Sequence, residues 1–203
     1  MHYLDIRING APSPEPQERS ARLEKRGADT EDIPLAGLSS RALSILHGAF
    51  AQRLAVQDAQ PYALALPNGL EVLRVFSAGR DELDALADNT EKHPFMRDYT
   101  SYGRVRQVLI TDETRWVEYR RFRIPNRNSI AVDGHEDRNG ARREASIARA
   151  SMLPHFVISS KSTGQRARIF VERQEWAKET TGILTPDSWG LSRLSARFAV
   201  PEV

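Results

Sequence analysis

The first part of the chain carries two hydrophobic patterns, one typical of a strand and one of a helix. Within His2–Ile8 every second residue is apolar, which predicts a strand that is buried on one face. From Leu38 to about Leu54 apolar residues recur at steps of three and four. That spacing predicts an amphipathic helix, with Ser39 or Ser40 as its N-cap.

The segments that follow continue an alternation of strands and helices. A Pro-Asn-Gly turn separates two apolar runs, and a short amphipathic helix and another alternating run come next. The whole order is strand, helix, strand, strand, helix, strand, which is the split β-α-β layout of ferredoxin-like domains. The predicted elements are strands at Tyr62–Leu66 and Leu70–Phe76, a helix at Asp81–Asp88 and a strand at Arg104–Ile110.

The second half of the chain is predicted to be smaller and richer in strands. Arg115–Ile124 predicts a strand, and Ala141–Met152 predicts a short basic helix after a loop at Asn126–Gly140. Two apolar runs, Phe156–Ile158 and Ile169–Val171, bracket a polar turn with a glycine and predict a β-hairpin. We therefore expect an α+β protein. It has an N-terminal ferredoxin-like (RRM-like) domain in residues 1–110, with an exposed insertion at about 9–35, and a smaller β-rich domain in residues 111–203.

Composition and charge narrow the class of protein. The 203 residues include no cysteine, which excludes disulfides and zinc–thiolate sites. With no signal-peptide pattern or membrane-length apolar run, we expect a cytoplasmic protein with no membrane contact. The net charge of +2 hides an asymmetry, because Arg104–Arg173 holds 15 basic and 8 acidic residues. A basic half of this kind indicates a polyanionic partner, with nucleic acid the first candidate.

The turn of the predicted hairpin is rich in hydroxyl groups and positive charge. Hydroxyls, an amide and cations presented together suit contacts with phosphate and sugar. A solvated turn has a similar composition, so the pattern alone leaves both interpretations open. The polar side chains are Ser159, Ser160, Lys161, Ser162, Thr163, Gln165, Arg166 and Arg168.

A histidine, His47, falls on the apolar stripe of the first predicted helix, one turn after Leu43. Its position alone favours a packed, hydrogen-bonded core histidine. An imidazole that stays accessible there would also suit a general base, because histidine changes its protonation state near neutral pH.

Aromatic and guanidinium side chains alternate in the strand predicted at Arg115–Ile124. Aromatic planes stack on bases, and guanidinium groups pair with phosphates or with guanine edges. The alternative is an edge strand with a charged outer face. The residues are Trp116, Tyr119 and Phe122 with Arg115, Arg120, Arg121 and Arg123, and the following helix adds Arg142, Arg143 and Arg149.

Five stretches, in this order along the chain, resemble one known family. They are MHYLDIR at the start, RALSILHGAF in the first helix, YRRFR in the second half, LPHFVISSKSTGQRARIFV at the hairpin and WGLSR near the end. Together they are similar to the type I-F CRISPR repeat endoribonucleases, the Csy-four branch of the Cas-six family, outside about Asn9–Leu35. The STGQ turn followed by GLS is the most specific part.

The resemblance implies a metal-independent endoribonuclease without a cofactor. Such an enzyme binds the stem-loop of CRISPR repeat RNA, cleaves the precursor on its 3′ side and leaves a 2′,3′-cyclic phosphate. It stays bound to the mature crRNA, and its partners are the other Cascade subunits of a type I-F-like effector complex.

The resemblance also assigns roles to residues. The catalytic histidine falls on His47, and the catalytic serine, which holds the ribose, falls on Ser160. Ser162 and Thr163 match residues that contact the RNA backbone, and Arg121 matches an arginine that reads a guanine. The predicted RNA-binding residues are Arg120, Arg121, Arg123, Arg142, Arg143, Lys161, Ser162, Thr163, Gln165, Arg166, Arg168 and Trp189.

Several positions depart from the family pattern, so we expect a divergent member. Arg123 replaces the glutamine that partners the guanine-reading arginine, and Ala167 replaces an aromatic residue that stacks beneath the stem. Trp189 replaces an aromatic residue near the active site that is often tyrosine. The arginine-rich helix is reduced to Arg138, Arg142, Arg143 and Arg149.

Two rival interpretations remain. In the first, the chain is a non-cleaving subunit that binds the crRNA hairpin. The departures at Trp189 and Ala167 favour this interpretation. Alternatively it is a metal-dependent phosphoesterase built on Asp133, His135, Glu136 and Asp137, although a loop of mixed charge is usually solvated.

Overall fold

The computed structural model describes residues 1–9, 34–125, 136–159, 165–177 and 184–203. In these ranges the chain forms an α+β fold with two antiparallel sheets, which confirms the predicted fold class. The predicted insertion lies almost wholly outside the described residues. No helix in the described ranges is long and apolar enough to cross a membrane.

The first sheet has the strand order of a ferredoxin-like fold. Its order is β2-β3-β1-β4, every pair is antiparallel, and β5 pairs with the other end of β1. The elements are β1 (His2–Ile8), α1 (Leu35–Leu54), β2 (Ala63–Ala65), β3 (Val72–Ser77), α2 (Arg80–Glu91), α3 (Pro94–Tyr99), β4 (Thr100–Tyr102) and β5 (Arg106–Gln107).

The last strand of this sheet differs from the prediction of one strand at Arg104–Ile110. Two short strands, β4 and β5, lie beside β1, with Gly103 between them donating its N–H to Asp5. The short helix α3 precedes them, with Pro94 at its start and the His93 side chain accepting a hydrogen bond from its first turn. Pro94 was the available signal, because proline favours the first position of a helix.

Helix α1 buries the predicted apolar stripe but begins earlier than predicted. Leu43, Leu46 and Phe50 are at most 1% exposed. The helix starts at Leu35, after Pro34, so Ser39 and Ser40 lie inside it and the predicted N-cap is wrong. Both hydroxyls hydrogen-bond carbonyls one turn back, which lets serine remain in a helix.

The second sheet contains the predicted hairpin. Its order is β7-β8-β6-β9, and the two hairpin strands pair in register from His155–Phe170 to Ser159–Arg166. The basic helix begins at Glu136 instead of Ala141, so the last five residues of the predicted loop are helical. The elements are β6 (Trp116–Phe122), α4 (Glu136–Ser151), β7 (His155–Ser159), β8 (Arg166–Trp176) and β9 (Val200–Pro201).

One hydrogen bond ties the first helix to the second sheet. β7 is the outer strand of its sheet, and the Val157 N–H donates to the Ser40 hydroxyl of α1 at 2.8 Å. A buried strand edge needs such partners for its backbone. Phe156 and Ile169 of the hairpin join Leu43 and Phe50 of α1 in one hydrophobic core. The predicted domain boundary at residues 110/111 stays a prediction.

A buried carboxylate supports the middle strand of the second sheet. Glu118 is fully buried and accepts hydrogen bonds from Ser192 at 2.7 Å and from Arg197 at 3.0 Å. Burial raises the pKa of this carboxyl, but the bonds from Arg197 and Ser192 and the charges of Arg197 and Arg120 lower it more. The net pKa is below that of an ordinary glutamate.

We predict that Glu118→Gln destabilises the protein at neutral pH and less so in acid. A lowered folded-state pKa stabilises the fold above the usual glutamate pKa, and this stabilisation is lost as the pH falls through the folded-state value. The variant should lose about 1–3 kcal/mol of unfolding free energy at neutral pH. Urea unfolding followed by tryptophan fluorescence at pH 7 and at about pH 4 measures this difference.

The control is Glu144→Gln, on the exposed surface of α4. It should change stability little at either pH. An equal loss for Glu118→Gln at both pH values would contradict the assigned role of the charge.

Candidate active site and nucleic-acid interface

The His47 side chain is oriented by a backbone carbonyl from the far end of the chain. Its Nδ1 atom lies 2.7 Å from the Ser188 carbonyl oxygen. A carbonyl oxygen only accepts hydrogen bonds, so Nδ1 carries a proton and donates it to this contact. In the neutral imidazole the lone pair is then on Nε2.

Trp189 covers one face of the same imidazole. The two ring centroids are 3.8 Å apart and the planes differ by 7°, so the rings are stacked. Both side chains are partly exposed. The stack and the carbonyl contact together fix the plane of the imidazole and its rotation.

A tight turn at Asp187–Leu191 places these two groups. The Asp187 carboxylate accepts hydrogen bonds from the N–H groups of Trp189 at 2.9 Å and of Leu191 at 3.0 Å. The Gly190 carbonyl then accepts a hydrogen bond from the Leu64 N–H at 2.8 Å. The turn is therefore fastened to the first sheet.

Gly190 is required in this turn for two reasons. Its φ is +79°, a conformation that residues with a Cβ rarely adopt. A Cβ built there would lie 2.9 Å from Leu64 Cβ and 3.0 Å from a ring carbon of Phe50. The glycine therefore allows the turn to lie directly on the core beneath His47.

The hairpin residues predicted to bind RNA are only partly described. Ser160, Lys161, Ser162 and Thr163 lie outside the described residues. Gln165, Arg166 and Arg168 are exposed, as is Ser159 at the end of β7. Arg166 and Arg168 pair in register with Ser159 and Val157. Side chains alternate across a strand, so they project from the opposite face to Ala167.

Arg120 and Arg121 of β6 project from opposite faces of the second sheet. Arg120 is paired with Glu172 at 2.7 Å, and the Glu172 side chain is only 3% exposed. Arg121 lies on the same face as the core residues Val117 and Tyr119, and it has no ion pair with a described residue. Arg120 is therefore held in a structural ion pair, whereas Arg121 is not.

The remaining predicted arginines lie in and near α4. Arg123 and Arg142 are exposed, and Arg143 is partly buried. The Nε of Arg143 is buried and has no hydrogen-bond partner among the described residues.

Neither a groove on the first sheet nor a metal cluster adds to this site. The groove is lined by Asp5, Arg74 and Val203 among others, and it contains none of the predicted site residues. Within the described part of the chain, no three His, Asp or Glu side chains are grouped to hold a metal ion. Of the residues proposed for the rival phosphoesterase, Asp133 and His135 lie outside that part, and Glu136 and Asp137 lie at the start of α4.

A sequence model of the family described as CRISPR-associated protein (Cas_Csy4) matches residues 23–202. The chain belongs to the Cas_Csy4 family. This confirms the resemblance read from the sequence, and it implies a role in CRISPR-associated RNA processing or binding. No curated protein matches the chain significantly.

Three groups at the site of this Cas_Csy4 protein were not predicted from the sequence. The Ser188 carbonyl is a backbone group, so no residue type signals it. Asp187 stood in a poorly patterned stretch, although an aspartate followed closely by glycine is a turn signal. Glu172, which pairs with Arg120, followed the apolar run of β8 and had no pattern of its own.

We predict that Gly190→Ala destabilises the protein more than Gly69→Ala. Gly69 also has a positive φ, +60°, but has open space where a Cβ would be. Gly69→Ala should cost about 1–2 kcal/mol from backbone strain, and Gly190→Ala about 2–4 kcal/mol because of the added overlap. Chemical denaturation of both variants measures the difference. Equal losses would mean that the turn is not packed tightly on Leu64 and Phe50.

Proposed function

We propose that this protein is a metal-independent endoribonuclease that processes CRISPR precursor RNA, with His47 as the general base. The observation that carries the proposal is the Nδ1 contact with the Ser188 carbonyl, which leaves the Nε2 lone pair of a partly exposed imidazole available. Membership of the Cas_Csy4 family supplies the RNA substrate class.

The reaction is strand cleavage by the RNA itself. His47 Nε2 takes the proton of a ribose 2′-hydroxyl, and the resulting oxygen attacks the adjacent phosphorus. The bond from phosphorus to the 5′ oxygen breaks, and that oxygen takes a proton from solvent. The products are a 2′,3′-cyclic phosphate and a 5′-hydroxyl, and His47 returns its proton to solvent.

Trp189 has a positioning role in this proposal. A stacked indole restricts the imidazole to one plane, which keeps Nε2 aimed in a constant direction.

Ser160 is proposed to hold the ribose, because the chain brings its neighbours to the helix that carries His47. Val157 of β7 is bonded to Ser40 of α1. His47 lies seven residues further along α1, about 10 Å at the rise of an α-helix. Ser160 is three residues from Val157, a span of at most about 10 Å of chain.

The RNA is proposed to bind across the second sheet and α4. Exposed Arg123, Arg142, Arg166 and Arg168 provide positive charge for phosphates, and the partly exposed Arg143 adds a further charge. Lys161, Ser162, Thr163 and Gln165 of the turn complete the proposed contacts. We also propose that the protein stays on the mature crRNA within a type I-F-like complex, where other Cascade subunits are its partners.

A hairpin-binding subunit without cleavage activity is the second candidate. The observation in its favour is the indole of Trp189, which stacks flat on His47 where the family pattern often has tyrosine. Both candidates bind RNA, so cleavage separates them.

We predict that His47→Ala abolishes cleavage and leaves RNA binding within about twofold. The variant removes the general base, which is typically worth about 10²–10⁴ in rate, and leaves the arginines in place. Single-turnover cleavage of a repeat stem-loop RNA in EDTA, together with a binding titration, measures both effects. The products should carry 2′,3′-cyclic phosphate ends.

The matched control is His2→Ala. His2 also has its Nδ1 near a backbone carbonyl, that of Ala78 at 3.3 Å, but it lies on the first sheet, and no ring of a described residue stacks on it. It should cleave normally. Binding without cleavage in the parent protein would favour the second candidate, and cleavage that EDTA stops would favour a metal-dependent enzyme.

We predict opposite phenotypes for Arg121→Ala and Arg120→Ala. Arg121→Ala should weaken RNA binding by about 1–3 kcal/mol and relax discrimination at one stem position. Arg120→Ala should mainly lower stability, because it removes a partner of the buried Glu172. Binding to stem variants and denaturant unfolding measure the two effects. Loss of base discrimination in Arg120→Ala alone would reverse the assignment.

A further inference from the structure

The last turn of helix α4 packs against the body of the protein. Of the side chains that the structure describes in residues 140–151, only Ala150 is buried. Even Ile147 is 41% exposed. An isolated helix of this length is marginal in water, so contacts at its attached end decide how well it is ordered.

Arg149 makes the contacts that anchor this last turn. Its guanidinium forms an ion pair with Oε1 of Glu172, and its central carbon lies 5.7 Å from the centre of the Phe122 ring. Phe122 lies on β6 two residues after Arg120, which is the register partner of Glu172 on β8, so Phe122 and Glu172 share one face of the sheet. The arginine therefore bridges from the helix to two strands of the second sheet.

Glu172 is suited to hold this anchor. Its side chain is 3% exposed, so it has no freedom to follow a moving helix. Its second oxygen, Oε2, forms an ion pair with Arg120 at 2.7 Å. A buried carboxylate between two guanidinium groups gains attraction from both, and it would be costly to leave unpaired.

We propose that Arg149 and Glu172 are positioning residues that hold helix α4 ordered and correctly oriented before RNA binds. This inference rests on the proposed function, because RNA is the ligand that the helix is held for. The guanidinium of Arg149 is paired with Glu172, so in this proposal Arg149 does not contact phosphate. Arg142 is exposed on the same helix and contacts phosphate instead.

The free protein tests the anchor without RNA. Hydrogen–deuterium exchange of the α4 amides should accelerate by about fivefold to tenfold in Arg149→Ala, from the loss of an ion pair and a cation–π contact. Arg142→Ala is the matched control and should leave exchange unchanged. Arg149→Lys keeps the charge near Glu172 and should restore part of the protection.

Arg149→Ala is the informative variant because Arg120 still neutralises Glu172 in it, so the sheet is preserved. Glu172→Gln removes the charge from the other side and should accelerate exchange in the same helix. If Glu172→Gln does not fold, the exchange rates of Arg149→Ala still show whether the ion pair orders helix α4.

RNA binding separates positioning from direct contact. With the repeat stem-loop RNA, Arg149→Ala should weaken affinity severalfold while the dependence of log affinity on log salt keeps its slope. Arg142→Ala should reduce that slope by about 0.7–0.9, the value for one phosphate contact. Single-turnover cleavage at saturating RNA should be unchanged in Arg149→Ala, because His47 and its partners belong to other elements.

Two results would overturn the inference. One is a reduced salt slope in Arg149→Ala, which would make Arg149 a direct phosphate contact. The other is unchanged exchange in α4 for Arg149→Ala. If the parent protein binds no RNA at all, the proposed function fails instead, and the exchange experiment still decides whether the anchor orders the helix.

Discussion

The packing of the Asp187–Leu191 turn onto helix α1 is the contact on which the candidate site depends. Gly190 lets the turn lie against Leu64 and Phe50, and the adjacent residues then present a carbonyl and an indole to His47. A histidine on a buried stripe is more often a packed, hydrogen-bonded core residue than a catalyst. Here the turn satisfies one nitrogen and defines the tautomer, which gives the other nitrogen a chemical use.

The arginines of the second sheet and α4 fall into two groups: some pair with buried carboxylates, and others are free of such pairs among the described residues. Glu118 and Glu172 are buried, and arginines neutralise both: Arg197 on one, and Arg120 with Arg149 on the other. Burying a carboxylate is tolerated because these partners replace its water. Arg166 and Arg168 of the hairpin and Arg142 of α4, which are exposed, have no such carboxylate among the described residues. The basic surplus of this half of the chain therefore remains at the surface.

The sequence was sufficient where a periodic pattern reported burial, and insufficient where a single contact decided the structure. Alternation in β1 and the stripe in α1 predicted buried faces that the structure has, and the order of elements predicted the ferredoxin-like sheet. The start of α1, the split of the last strand and the pairing of Arg120 depend on Pro34, Gly103 and Glu172. Each of these three residues acts through one contact, and the periodicity of apolar residues contains no information about a single contact. The resemblance to the CRISPR repeat endoribonucleases, which the family match supports, named His47, but the Ser188 carbonyl that orients it is visible only in three dimensions.

The tautomer of His47 is the most direct test of this account. Nitrogen-15 NMR of the neutral imidazole distinguishes a protonated Nδ1 from a protonated Nε2 by chemical shift and by couplings to the ring protons. The account predicts that Nδ1 carries the proton, as its 2.7 Å contact with the Ser188 carbonyl requires, and that Nε2 has the lone pair. A proton on Nε2 of the neutral ring would contradict the assignment of His47 as the base.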